Sequence, residues 1–559
     1  MKKPLISISL FLIIVLGFFF RFIGLTQIPA GFNWDEASVG YNAYSLLETG
    51  RDEFGRSWPI FIESFGDYKT GLYSIALVPI IKHFGLSIFS VRILNVFVGT
   101  SAILASYFLG LTYFKKQSSA LILALLMATS PLTIHFSRFT LEWYAALPLF
   151  LVGMSLIISD KKRQLKLPLG AFFLGFSLYW YHSLRLFLPL LLICYVITYK
   201  TKILKNPKTL IISLFVGALT ITPLFLSLKQ SNILARPQAV AIFSNEDHQR
   251  TQIEGLYRFT VSSFPLKRVF TNKAVYYGQE IAYRYLSHFS LDFLFFGKDA
   301  TPRISVYPIG KMQLVLLPFL LIGFIQIFKK YKHHRLLLGW ILLSPLPASL
   351  TNDAPHGLRS LFLLPALLIV VVIGLNKSYQ HLNKIKKSWQ KSFILSIGGI
   401  LFFSNFLLQM SQYFLFYPEL TSSYWQADQQ DMIKKLQQYE NEFPNIVVTK
   451  FDGQPHIFYA FFTQLDPKIY QKEVQNQEES FNTRISKLGK IKFGIQKTDY
   501  CQLNTLIITK DYLDILNLEP IDITYLPNRF HNPKEAFYFY DTNDPIIQEK
   551  VCVNETTKK

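Results

Sequence analysis

Long apolar runs recur from residue 5 to residue 416, divided by short polar turns, and then stop. Each is near the ~20 residues that cross a hydrocarbon core, and few carry an internal charge. They predict spans over residues 5–25, 87–111 and 120–134, from 141 to the cluster at 160–163, and over 169–180, 186–198, 210–228, 312–328, 336–350, 360–375 and 392–416. The expected class is therefore a polytopic α-helical membrane protein with about eleven transmembrane helices. Two interruptions, residues 26–86 and 229–310, are too long for turns and predict structured loops that carry function. Past residue 417 the pattern changes to a polar helix-like run over 428–439 and short alternating strands such as NIVVTK, KIKFGI and NTLIIT. That pattern predicts a small α/β domain over 418–559, following a transmembrane domain over 1–417.

Charge adds an orientation. Basic clusters stand at Lys2 and Lys3, Lys115 and Lys116, Lys161 to Lys166, Lys200 to Lys208, Lys329 to Arg335, and Lys384 to Lys391, and they fall on alternate ends of the successive runs. The positive-inside rule then puts the N-terminus in the cytoplasm and both long loops and the C-terminal domain outside. The net charge of +21 is thus a topology signal, and a nucleic-acid partner is not expected. The chain is 50% hydrophobic and 17% charged, with a mean hydropathy of +0.26, as a mostly membrane-embedded chain requires. The first run is long and lacks a small-residue cleavage site, so it reads as an uncleaved span. No CxxC, HExxH or phosphate-loop pattern occurs, which leaves zinc and nucleotide hydrolysis without support. Cys194 lies in a span; Cys501 and Cys552 either form a disulfide outside or remain two thiols.

The candidate chemistry begins where the first span ends. Asp35 and Glu36 are adjacent carboxylates just past a membrane exit, a costly place unless they have a task or a partner. The stretch DEASVGYNAYSLLETG has the form of a short amphipathic helix with Asp35 as N-cap, Val39, Ala43 and Leu46 or Leu47 on one face, Gly50 beyond its end, and Trp34 stapled to Val39. Asp35 then either only caps a helix lying on the outer leaflet, or serves as a general base kept ionised by the helix N-terminus. Lys69, Arg92, Arg138 and Arg359, with His135 and His356, sit at outer ends of spans, against the positive-inside trend. Cations so placed suggest a bound anion, with phosphate the natural candidate. The plainer alternatives are pairing of Arg92 and Arg359 with Asp67, Glu142 or Asp353, and histidines that only form hydrogen bonds.

The order of motifs resembles a known family. One span, an outer loop opening on Asp35-Glu36, a lysine motif before Leu72-Tyr73, and Val91-Arg92 entering the second span look like the GT-C glycosyltransferases of the protein O-mannosyltransferase and aminoarabinose transferase group. HFSRFTLEWY, YWYHSLRLFLP and TNDAPHGLRSLFLLP look like the same group, so the resemblance covers about residues 5–376. Where relatives commonly have Lys-Pro-Pro, this chain has Lys69-Thr70-Gly71. The resemblance implies a GT-C fold and transfer of a sugar from a polyprenyl-phosphate donor to a protein, lipid or glycan acceptor at the outer membrane face. It implies Asp35 as base and Glu36 as a supporting or acceptor-positioning carboxylate. Lys69 and Arg138 become phosphate ligands, with Arg92, Asp67, His356 and Arg359 as further substrate-binding candidates. No metal and no cofactor is expected. A different class, a polytopic transporter or lipid-sugar flippase, would also need about eleven spans. It would show internal repeats and midplane charges, which this sequence lacks. A lipid-carbohydrate polymerase or ligase is a third reading, disfavoured by the carboxylate pair after the first span.

Overall fold

The computed structural model describes residues 3–140, 142–160, 163–230, 241–244, 251, 254–255, 272–451, 453–475, 485–511, 518–526 and 535–552. Most of the expected loop at 229–310 before Asn272 lies outside the described residues. Each of the eleven predicted runs contains a helix. Six helices among the described residues are long and apolar enough to cross a membrane, and four shorter apolar ones accompany them.

The chain divides into two compact units. The first comprises residues 1–23, 95–137 and 141–413. It holds all of α1 (Lys3–Phe22), the greater part of α4 (Ile88–Phe114), α5 (Gln117–Thr129) and α6 (Pro131–Phe136), then the later helices through Ser388–Ser411. Its tightest pairing joins the helices Leu317–Lys329 and Leu363–Leu382. A Cβ on Gly323 would stand 2.1 Å from the Val370 carbonyl oxygen, and one on Gly374 1.9 Å from that of Phe319. Only glycine permits that backbone approach, the usual device where apolar helices pack in lipid. Arg21, within the first apolar run, is fully buried in this unit. Its guanidinium donates to the carbonyls of Gly17, Met127 and Ala128 and to Ser137 Oγ and Thr133 Oγ1. It therefore satisfies the open C-terminal carbonyls of α5 and ties them to α1 and α6.

The second unit comprises residues 24–94, 138–140 and 414–559. It contains α2 (Trp34–Thr49), a hairpin of β1 (Phe61–Ser64) and β2 (Asp67–Thr70), α3 (Gly71–Phe84), the start of α4, and a six-stranded sheet. The sheet consists of β3 (Asn445–Val448), β4 (Lys487–Leu488), β5 (Ile491–Phe493), β6 (Thr505–Thr509), β7 (Asp522–Tyr525) and β8 (Glu535–Asp541). Its order is β4-β5-β3-β6-β8-β7, with β3 parallel to both β5 and β6 and the outer pairs antiparallel. Three of these strands are the NIVV, IKF and TLIIT segments that alternation predicts. Cys501 is disulfide-bonded and Cys194 is free; the side chain of Cys552 lies outside the described residues.

The helix after the first span is not the amphipathic surface helix that its sequence suggests. Ten consecutive or near-consecutive residues from Glu36 to Leu46 are buried, because α3 packs on one side of α2 and the helix Pro455–Phe462 on another. Its small residues allow this: a Cβ on Gly40 would meet Val91 Cγ2 at 2.6 Å and Phe461 Cε2 at 2.7 Å. The predicted stop is correct, with Gly50 in the left-handed region at φ 68° and its N–H donating to the Leu46 carbonyl.

Candidate active site

The start of α2 sets the geometry. Its N-cap is Asn33, not Asp35: the Asn33 side chain accepts from the Asp35 N–H, and Glu36 at the third helical position receives the Asn33 N–H at 3.4 Å. This is a capping box. It also displaces the predicted Trp34–Val39 staple, since Trp34 is already helical. A residue far along the chain completes the cap. Gln426 Oε1 accepts from Asn33 Nδ2 at 2.9 Å and from the Trp34 N–H at 3.1 Å. Asp35 thus occupies the first turn without being the N-cap, where the helix dipole favours a negative charge.

The two carboxylates have opposite environments. Glu36 is enclosed, with its side chain 1% exposed. Arg92 grips it in a fork, Nε to Oε1 and Nη2 to Oε2, both at 2.9 Å, and the Thr140 N–H donates to Oε1 at 2.8 Å. Arg92 also donates to the carbonyls of Leu25, Pro29 and Gly31. The carboxylate partners offered by the sequence, Asp67 and Glu142, are therefore not the one Arg92 takes. Asp35 is one-third exposed and meets Lys69 Nζ at 2.5 Å.

The hairpin delivers Lys69. Phe65 and Gly66 form a two-residue turn with both φ positive, 53° and 77°, the conformation that matches strand twist. Register then pairs Ile62 with Lys69 and Glu63 with Tyr68. Alternation sends Lys69 toward Asp35, while Tyr68 bonds Glu63, which also takes Arg56 at 2.6 Å. Lys69 Nζ lies 5.5 Å from the Phe65 ring centroid, and Phe65 packs edge-on to Trp34. The departure at Thr70-Gly71 has a structural reason. The Gly71 N–H donates to the Ile60 carbonyl at 2.7 Å, which proline cannot do, and a Cβ there would stand 2.2 Å from the Pro59 oxygen.

The remaining candidates are placed as follows. Arg138 Nη2 donates to the carbonyls of Gly24 and Ile28 at 3.0 and 3.2 Å, and its guanidinium covers the Phe414 ring. Asp67 ends the hairpin turn in register with Ser64. In the first unit, Arg359 pairs with Asp353 at 3.4 Å and donates to Thr351 Oγ1 at 2.7 Å, so the plainer alternative applies to it. The His356 N–H donates to His288 Nε2 at 3.1 Å, and His356 Nδ1 accepts from the Arg359 N–H. Burial holds the His288 ring well below its ordinary value, at about 4. His135 bonds Tyr413 and the Arg303 carbonyl. Among the described residues no group of three or more His, Cys, Asp or Glu side chains is arranged to hold a metal.

A further acid, Glu53, is buried behind α2. It accepts from Asn42 Nδ2 at 2.9 Å and Ser38 Oγ at 3.3 Å, and its N–H donates to Asn42 Oδ1. Burial pushes its carboxyl from 4.5 to about 7, against the opposing hydrogen bonds from Asn42, Tyr470 and Ser38. The folded value exceeds the unfolded one, so the protonated form is favoured by folding. That contribution, about 3 kcal/mol at 1.36 kcal/mol per unit, is complete below about pH 4.5 and is lost as pH rises through about 7. Glu53→Gln is expected to flatten this slope, so that between pH 5 and 8 the melting temperature falls less in the variant than in the wild type. Parallel melting profiles would refute the assignment.

Comparison with solved structures identifies the fold. ArnT from Cupriavidus metallidurans, bound to undecaprenyl phosphate, superposes with a TM-score of 0.53 at 11% identity, over 98% of this chain and 99% of that one. Its apo form gives 0.52 over 94% and 97%, also at 11% identity. An Archaeoglobus fulgidus oligosaccharyltransferase tethered to an acceptor peptide gives 0.51 at 13% identity, over 91% of this chain and 69% of that one. No protein-family model and no curated protein matches the sequence. The chain is a multi-pass membrane protein with the GT-C fold and a small C-terminal sheet domain.

Proposed function

We propose that this protein is an integral-membrane glycosyltransferase that moves a sugar from a polyprenyl-phosphate donor to an acceptor hydroxyl, with Asp35 as general base. The observation that carries the reading is the Asp35–Lys69 contact at 2.5 Å. It places a partly exposed carboxylate and an almost buried ammonium at one point, on rigid elements, beside an aromatic pair. The two are the groups that an inverting displacement at a sugar phosphate needs. Asp35 takes the proton from the acceptor O–H as that oxygen bonds to the anomeric carbon. The bond from that carbon to the phosphate oxygen breaks, and the phosphate leaves with the electron pair, which requires no general acid. Lys69 supplies positive charge to the departing phosphate. Glu36 acts through position: locked to Arg92, it holds the helix start that carries Asp35.

The solved relatives support the substrate class, since one holds undecaprenyl phosphate and another an acceptor peptide. The basic clusters support an orientation with the N-terminus in the cytoplasm and residues 418–559 as an extracytoplasmic domain. The test is a transfer assay in membranes with a panel of polyprenyl-phosphate sugars, comparing wild type with Asp35→Asn. Transfer from one donor by the wild type alone supports the reading; full activity in the variant overturns the assignment of the base. Lys69→Ala is expected to weaken the apparent affinity for the carrier by about tenfold, ~1.4 kcal/mol, with a smaller effect on the acceptor. An unchanged carrier affinity would remove Lys69 from the phosphate site.

A further inference from the structure

The turn that delivers Lys69 carries an unexpected residue for its shape. Two consecutive positive φ values, 53° at Phe65 and 77° at Gly66, are what Asn-Gly or Gly-Gly adopts at least cost in a two-residue hairpin loop. A bulky side chain in the left-handed region crowds the following carbonyl and destabilises the fold. Residues so strained persist where the surrounding structure holds them, and they gather at functional sites.

The Phe65 ring meets an ammonium and is supported by other rings. Lys69 Nζ stands 5.5 Å from its centroid, within reach of a cation–π contact. The Trp34 indole meets it edge-on at 6.5 Å and the His456 imidazole at 6.0 Å, both at 69°. His456 is itself backed by Phe493 of β5 at 5.9 Å and by Tyr470 at 6.3 Å. A row of aromatic contacts thus runs from the C-terminal sheet to the ring that Lys69 covers. Burial holds the His456 imidazole well below its ordinary value, at about 3, so this contact adds no second positive charge beside Lys69.

Apolar filling alone does not account for phenylalanine here. Phe65 is only half-buried; leucine would fill similar space without a π face, and asparagine would relieve the backbone. What the aromatic ring adds is a negatively polarised face against an ammonium whose side chain is 7% exposed. A carboxylate in contact cancels that charge, whereas a ring quadrupole attracts the ammonium and leaves its net charge to act on an arriving anion. An ammonium already held in place also loses less rotamer freedom when the anion binds.

We propose that Phe65 is a positioning residue for Lys69, its ring face holding the ammonium at the Asp35 site so that it meets the carrier phosphate without rearrangement. The inference rests on the reading of Lys69 as a phosphate ligand.

The test uses the full-length protein in nanodiscs and equilibrium binding of polyprenyl phosphate without turnover. Phe65→Leu, and pentafluorophenylalanine incorporated in place of Phe65, are each expected to weaken carrier binding by about fivefold, since one removes the π face and the other reverses its polarity. Phe65→Trp keeps the face and should stay within about twofold of wild type. The fluorinated ring preserves the aromatic shape, so melting is expected to match wild type, and a merely structural Phe65 would leave affinity unmoved too. In a Lys69→Met background, fluorination should have no further effect. Wild-type affinity with the fluorinated ring, or an equal loss with and without Lys69, overturns this inference; weakened binding in Lys69→Met then leaves the phosphate reading intact. Unchanged affinity in Lys69→Met overturns the phosphate site and this inference with it.

Discussion

Asp35→Asn is expected to lower transfer by about 10²- to 10⁴-fold, the range that a positioned general base contributes, with carrier affinity within a few-fold of wild type. The size of the effect follows from how separable the base is from the scaffold. Asparagine matches aspartate in shape, and the cap of α2 is made by Asn33, Glu36 and Gln426, so the helix start survives the substitution. What is lost is the ability to take a proton and one partner of Lys69. The Lys69 ammonium, freed from its counter-ion, keeps its charge for the phosphate, so the loss should fall on kcat rather than on carrier KM. A variant with normal kcat and a raised KM would make Asp35 a binding residue and remove it as the base.

Arg92→Leu should be the most destabilising single change in the second unit, at about 3–5 kcal/mol, because it strands a buried carboxylate. Glu36 has no exposed route by which to regain water. The same substitution also abandons the carbonyls of Leu25, Pro29 and Gly31, which the guanidinium satisfies together. Melting of the purified variant should show the loss directly. Adding Glu36→Leu should recover part of it, since removing both charges costs less than orphaning one. A double variant as unstable as the sum of the two singles would show that the pair is not coupled.

How much of this could be read beforehand depends on distance along the chain. The apolar runs are local patterns, and every one of them holds a helix. The capping box was also local: Asn33 followed by Glu36 three residues on is its signature, yet the adjacent Asp35 matches the cap preference equally well, and only the backbone distinguishes them. The hairpin was hidden because its turn uses Phe65 at positive φ rather than the Asn-Gly that announces such turns. The surface-helix reading failed for a tertiary reason, since the Pro455–Phe462 helix covers a face that α2's own sequence leaves undetermined. Arg92 illustrates the same limit. Its role as an ion-pair partner was legible from its placement, but the choice of Glu36 over Asp67 or Glu142 lies in the packing. Arg21 carries no local signal of its role, because one arginine does not interrupt an apolar run.

The Gln426 cap has a practical consequence. Gly31 approaches the backbone at Trp425 so closely that an added Cβ would stand 2.1 Å from its carbonyl oxygen, and Gln426 alone fills two bonds at the start of α2. The loop that carries Asp35 and Lys69 is therefore not a cassette. A chimaera that exchanges residues 24–94 for those of a relative must import the segment around Trp425 and Gln426 with it. A chain cut after the last apolar run would retain Asp35, Lys69, Glu36 and Arg92 and still lose the register in which they meet.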